Sequence, residues 1–167
     1  DEIAKKLGVR ADIILPTDDK IRTEVQTKSG WISFQEYFVK KRCSPKIIKL
    51  RYTGIKSAKI TNEAKKALFN AELIIIAPSN PLVSIKPILE IPGFKSIIQK
   101  NNKKVIAISP LIQGKAVKGP ASKMLKQLGF KPNSFSCMQF YKDICKSFIL
   151  DRSDIGSEKQ FILLNQK

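Results

Sequence analysis

Four short stretches hold the side chains able to do chemistry. Thr17-Asp18-Asp19, with Arg22 and Thr23 just beyond, sets adjacent carboxylates beside a guanidinium. Such carboxylates can hold a hard cation such as Mg2+, and the arginine can pair with phosphate oxygens. The bland alternative is an Asx turn with a surface arginine. Ser79 and Asn80, inside Pro-Ser-Asn-Pro, offer a hydroxyl, an amide and backbone N–H groups suited to a phosphate or a base edge, or else they cap the helix that follows. The run from Ser109 to Pro120, SPLIQGKAVKGP, carries Lys118 and Gly119. Glycine permits close backbone approach and lysine neutralises phosphate charge, although the order is not that of a Walker loop. The fourth stretch is Gln35-Glu36-Tyr37 with Arg42. On a helix Glu36 and Arg42 do not share a neighbouring face, so no i, i+4 ion pair accounts for them, and a solvated polar face is the default.

The elements that must position these residues follow from the apolar pattern. From Leu73 to Ile85, LIIIAPSNPLVSI, a continuous apolar run of strand length breaks into the Pro-Ser-Asn-Pro turn. A buried strand therefore delivers Ser79 and Asn80 to its carboxyl end, the edge at which open α/β sheets bind ligands. Val105 to Ile108 is a second apolar strand, ending at Ser109-Pro110. The connection between them contains helical pieces over Val83–Leu89 and Phe94–Gln99. That makes a βαβ unit with parallel strands and a right-handed crossover, so both polar turns open on one edge.

Around this unit the spacing predicts a helix end over Asp1–Leu7 closed by Gly8, a short strand over Ala11–Leu15, and a β-hairpin of Ile21–Thr27 and Trp31–Phe34 turning at Lys28-Ser29-Gly30. Phe34–Arg42 reads as helical and Ile47–Tyr52 as a strand. Thr61–Asn70 is a helix capped by Thr61 or Asn62. Ala121–Leu128 is a helix closed by Gly129, and Phe148–Leu150 a late strand. The tail from Gly156 to Lys167 has no assignable pattern.

At 167 residues and 43% hydrophobic content the chain suffices for a single α/β domain over residues 1–167. Its formal net charge of +17 favours anionic partners. The lysines are spread through every segment, which reads as a solvated, lysine-biased surface. A basic nucleic-acid-binding module is the competing reading, and the lack of a Lys/Arg patch interleaved with aromatics speaks against it. Cys43, Cys137 and Cys145 form no C-x-x-C pair and there is no histidine, so no zinc site is expected. Reduced, buried thiols fit a cytoplasmic protein. No apolar run reaches the ~18 residues of a membrane span. The sequence opens on Asp1 in what reads as a helix already under way, as expected of a piece of a longer protein.

TDDKIRTEVQT, GWISFQEYFVKKRC, APSNPLVSIKPIL, ISPLIQGKAVKGPASKML, YKDI and FILDRSD closely resemble, in that order, blocks of the 2-phospho-L-lactate transferase family of deazaflavin coenzyme biosynthesis. The resemblance runs from about Leu7 to Asp154. It implies a Rossmann-like α/β fold: a mostly parallel sheet flanked by helices, with a β-hairpin insertion. The glycine-rich strand-turn-helix with which family members begin is absent, so the N-terminal part of that fold is expected to be missing. It further implies transfer of a phospholactyl or phosphoenolpyruvyl group from a guanosine-diphospho-activated donor to the deazaflavin Fo. GMP leaves, Mg2+ assists, and the product precedes glutamylation to coenzyme F-420. Asp18 or Asp19 would then serve as metal ligand or base, with Arg22, Thr23 and Lys118 on the diphosphate. Ser79 and Asn80 would take the nucleotide side, joined by Ser109 and Gly119, with Glu36 and Arg42 as second candidates. The resemblance is compatible with a homodimer and gives no role to a membrane.

Overall fold

A computed structural model of the chain describes residues 2–157. It opens with a short helix, α1 (Glu2–Lys6), after which the Gly8 amide donates to the Lys5 carbonyl at 3.0 Å. The expected start at Asp1 lies outside the described residues. The apolar segment Ala11–Leu15, expected as a strand, forms no ladder. Its side chains are exposed, and a strand without a partner leaves its backbone donors and acceptors unpaired.

The predicted hairpin is present as β1 (Arg22–Thr27) and β2 (Gly30–Ser33), with Val25 opposite Ile32 and Thr27 opposite Gly30. The Thr27 hydroxyl donates to the Gly30 carbonyl at 3.1 Å and closes the turn. The hairpin is extended by β3 (Lys49–Thr53), which pairs antiparallel with the other side of β1 to give the order β2-β1-β3. The helical reading of Phe34–Arg42 is met over residues 34–40, of which Glu36–Lys40 form a π-helical turn.

Helix α2 (Asn62–Asn70) follows, and Thr61 is its cap: the hydroxyl accepts from the Ala64 amide at 3.1 Å. The parallel sheet is then built from β4 (Ile74–Ile76), β5 (Val105–Ile108) and a later strand. Between β4 and β5 lie a π-helical turn (Pro81–Ile85), α3 (Lys86–Leu89) and α4 (Phe94–Lys100), the helical crossover that the sequence predicts. After β5 comes a miniature hairpin, β6 (Leu111–Ile112) and β7 (Lys115–Ala116), inside the run expected to be loop. Two-residue strands leave no periodicity to read. Helices α5 (Ala121–Gln127) and α6 (Ser134–Gln139) precede β8 (Ser147–Ile149), which pairs parallel with β5 and completes the order β4-β5-β8. Helix α6 was not predicted, and its start is fixed by the Asn133 side chain accepting from the Ser136 amide at 2.9 Å.

Two apolar clusters hold these parts together. One lies between the parallel sheet and its helices, joining Ile76, Val105 and Ala107 to Ala64, Phe94, Ile98 and Tyr141. The other joins Val25 of β1, Tyr37 of the first π-turn, Leu82 of the second, Leu111 of β6 and Met124 and Leu125 of α5. Each fully buried side chain of this size contributes about 1.5–3 kcal/mol. The second cluster thus ties the antiparallel hairpin, the turn after β4 and the loop after β5 into one body. Cys43, Cys137 and Cys145 are all free and buried, in keeping with the sequence reading.

Candidate functional site

The parallel pairing of β4 and β5 brings both of their carboxyl ends to one edge, as the two apolar runs predict. There the turn Pro78–Asn80 from β4 and Pro110 from β5 enclose a cavity of about 450 Å³ with Lys118, Gly119 and Pro120. Val83 and Ser84 of the second π-turn, Phe38 of the first and Phe34 just ahead of it also line the cavity. The volume falls in the range of small-molecule sites.

The polar groups differ in how far the protein already uses them. Asn80 is committed on both sides: its carbonyl oxygen accepts from the Leu82 amide at 3.0 Å, and its Nδ2 donates to the Met124 sulfur at 3.4 Å. The capping alternative therefore holds for Asn80, and its role is to fix the turn. The half-buried Ser79 has its amide on the Ala77 carbonyl at 2.7 Å, and its hydroxyl has no partner among the described residues. Lys118 is exposed and free of ion pairs among the described residues. Gly119 has φ +76°, with nothing within 4 Å of where a Cβ would stand, so the backbone here is open to a ligand. The Ser122 hydroxyl, one residue beyond the lining Ala121, is buried with no partner among the described residues.

Phe34 and Phe38, which also line the cavity, stack with ring centroids 5.8 Å apart and planes 12° from parallel. They form a flat apolar wall. Sequence reasoning missed Phe34, Phe38, Ser84 and Val117 as lining residues; the i, i+4 spacing of the two phenylalanines on a helical stretch was the available signal. Ser109 is buried instead of presented. Its hydroxyl donates to the Leu111 carbonyl at 2.9 Å, accepts from the Leu111 amide at 3.1 Å and shares a 2.9 Å bond with Ser134. It closes the turn into β6, and its expected contact with a ligand is corrected to a structural one.

The remaining candidates do not line the cavity. Asp19 pins a loop: Oδ2 accepts from the Lys59 amide at 2.7 Å and from the Thr17 hydroxyl at 3.4 Å. Asp18 beside it is exposed. Arg22 and Glu24 share one face of β1, where Glu24 pairs with Arg51 at 2.8 Å and Arg51 in turn lies 4.1 Å from the Trp31 ring centroid. The Arg51 bond, then Thr53 and the nearby Arg22, hold the Glu24 carboxyl below its usual value. By strand alternation Thr23 faces the other way, toward the side of its partner Tyr52, whose hydroxyl donates to the Leu82 carbonyl. Arg22 thus points away from the turn after β4. Glu36 lies on the first π-turn and Arg42 is exposed at φ +47°, in the tight reversal that closes that turn. No group of three or more His, Cys, Asp or Glu that could hold a metal occurs among the described residues, and no carboxylate lines the cavity. Asp18 and Asp19 belong to no such group among the described residues and lie outside the cavity lining.

What remains is a cavity at the carboxyl edge of a parallel sheet, lined by the stacked Phe34–Phe38 pair, by Ser79, Ser84 and Lys118, and by the open backbone of Gly119. In an open α/β sheet that edge is where ligands bind. The chain belongs to the 2-phospho-L-lactate transferase family, whose profile, "2-phospho-L-lactate transferase CofD", matches residues 1–161. It is 34% identical over 160 residues to the 2-phospho-L-lactate transferase of Methanosarcina barkeri, covering 96% of this chain and 51% of that protein. With the 2-phospho-L-lactate transferase of Methanococcoides burtonii it shares 36% identity, covering 96% of this chain and 52% of the relative. The chain thus spans about half the length of the curated relatives it matches. Among solved structures it resembles a member of the UPF0052 family from Bacillus halodurans, with a TM-score of 0.55 at 20% identity, over 90% of this chain and 44% of that one. That likeness concerns the fold, a Rossmann-like parallel sheet flanked by helices. No helix among the described residues is long and apolar enough to cross a membrane.

Proposed function

We propose that this chain carries the donor-nucleotide half of a transferase that moves a phospholactyl or phosphoenolpyruvyl group from a guanosine-diphospho-activated donor to the deazaflavin Fo, releasing GMP, in deazaflavin coenzyme biosynthesis. The observation that carries the reading is the cavity at the carboxyl ends of β4 and β5, lined by Ser79, Lys118 and Gly119 together with the stacked Phe34–Phe38 pair. The Lys118 ammonium and the Ser79 hydroxyl meet the diphosphate oxygens, and Asn80 holds the turn that presents Ser79. The two phenylalanines give a planar ring its stacking surface, worth about 0.5–1.5 kcal/mol beyond the area buried.

In the transfer an alcohol oxygen of Fo attacks the phosphorus that bears the three-carbon acid, and the bond from that phosphorus to the GMP oxygen breaks. Such reactions depend on alignment and on neutralising charge spread over the phosphate oxygens. The lining residues supply both. They contain no carboxylate or imidazole, so the acceptor of the Fo hydroxyl proton lies outside the lining. The donor and Fo are the proposed partners.

The test is guanosine diphosphate binding by calorimetry together with a transfer assay on the same protein with donor, Fo and Mg2+, read by mass spectrometry. Lys118→Ala should weaken guanosine diphosphate binding about 10- to 100-fold, the value of a charge-assisted hydrogen bond. Unchanged affinity in that variant, or no guanosine diphosphate binding by the parent chain, overturns the assignment of this cavity.

A further inference from the structure

One face of the parallel sheet is bare. Partners in the ladder put Ile75 beside Ile106 and Ile108 beside Ile149. Parallel neighbours point to the same side, so these four share a face, extended by Leu73 two residues before Ile75. Leu73 is 50% exposed, Ile75 58% and Ile149 52%, while Ile106 and Ile108 are half-buried. On the opposite face Ile76, Val105 and Ala107 are buried beneath α2 and α4. Parallel sheets are found with both faces covered, because their crossovers lay helices on each. Here five branched aliphatic side chains, with Ser147 among them beside Ile106, share a face that joins neither apolar cluster among the described residues, while helices cover the other face.

The relatives carry about as much polypeptide again as this chain spans, enough for a second helical layer. We propose that the Leu73–Ile75–Ile106–Ile108–Ile149 face is the docking surface for a helix-bearing polypeptide segment equivalent to the part of the relatives' length that this chain does not span. An apolar helix face seated on it restores the two-sided burial of a parallel sheet. The proposal rests on family membership and on the bare face, and is independent of the transferase reading.

The experiment co-expresses the affinity-tagged chain with the part of the Methanosarcina barkeri relative outside the matched region. The captured complex is sized by light scattering. One copy of each polypeptide is expected, with capture lowered at least tenfold by Ile75→Glu with Ile149→Glu and unaffected by Val39→Glu, an equally exposed aliphatic residue elsewhere. Circular dichroism of each variant reports folding. A second reading on the unmutated chain is an apolar-surface dye, whose fluorescence should be high for the chain alone and fall in the complex. Several outcomes overturn the idea: no capture, capture indifferent to the double substitution, a homodimer of the chain alone that the double substitution dissociates, or dye binding that rises only when residues 158–167 are removed. Loss of transferase activity with capture intact would count against the functional reading and leave this one standing.

Discussion

At the scale of single residues, the hydrogen-bond partner separates side chains that present themselves to a ligand from those that hold the fold. Ser79 and Ser109 look alike in sequence, each ending an apolar strand and each followed within one or two residues by proline or asparagine. The structure divides them. Ser79 keeps an unpartnered hydroxyl at the cavity, whereas Ser109 is wholly engaged with Leu111 and Ser134. Ser109→Ala should therefore cost about 1–3 kcal/mol of unfolding free energy, because a buried amide and a buried hydroxyl each lose a partner. Guanosine diphosphate affinity of the folded variant should stay at the parent value. Urea unfolding and calorimetry check the two halves, and a stable variant that fails to bind would return Ser109 to the site. The same distinction explains why Asp19 and Asn80 could be seen in the sequence as polar groups at turns while their use could not. A carboxylate tied to the Lys59 amide, forty residues away, leaves no local signature.

At the scale of elements, legibility follows periodicity and partner. Strands β4 and β5 are unbroken apolar runs and were placed to within a residue or two, as was α2 with its Thr61 cap. The hairpin of β1 and β2 was read from alternation and a glycine turn, and β3 from the run Ile47–Tyr52; what the sequence left open was the pairing of β3 with β1, Val25 opposite Leu50. Ala11–Leu15 has strand-forming residues and no ladder, while β6 and β7 have a ladder and too few residues to show a pattern. Turns carry a sharper prediction. Gly54, after β3, has φ +87°, and a Cβ there would meet the Lys20 carbonyl oxygen at 2.4 Å. Gly54→Ala must bear both a left-handed backbone and a clash with the chain that enters β1, so it should destabilise by more than about 2 kcal/mol. Gly119→Ala, at a similar φ but with open space around it, should cost only about 1–2 kcal/mol. Equal melting temperatures for the two variants would show that the Gly54 turn yields more readily than its packing implies.

At the scale of the whole molecule, the sequence announced the parallel unit and its binding edge, the buried thiols and the family. It did not announce the bare sheet face, because an isoleucine in an all-apolar strand reads identically whether its side of the sheet is covered or not. Burial also sets how the molecule responds to alkali. It pushes the Cys137 thiol from its ordinary 9.0 up to about 12 and the Cys145 thiol up to about 11, and raises the Tyr141 phenol. Between pH 9 and about 11 the unfolded chain therefore sheds protons that the folded chain retains. The folded state binds more protons there, so unfolding free energy falls as pH rises: this part of the stability is whole below pH 9 and is lost toward the folded-state values. Cys137 alone contributes a slope of at most about 1.4 kcal/mol per pH unit. Comparison with Cys137→Ala isolates this contribution, since the two proteins differ in no other titratable group. Alanine leaves a small void whose cost is independent of pH, so the parent should be the more stable at pH 8, with its advantage shrinking steadily by pH 10.5 in paired urea titrations. A difference that stays constant across that range would mean that Cys137 ionises as readily in the folded chain as in the unfolded one, and that the interior around α6 admits water.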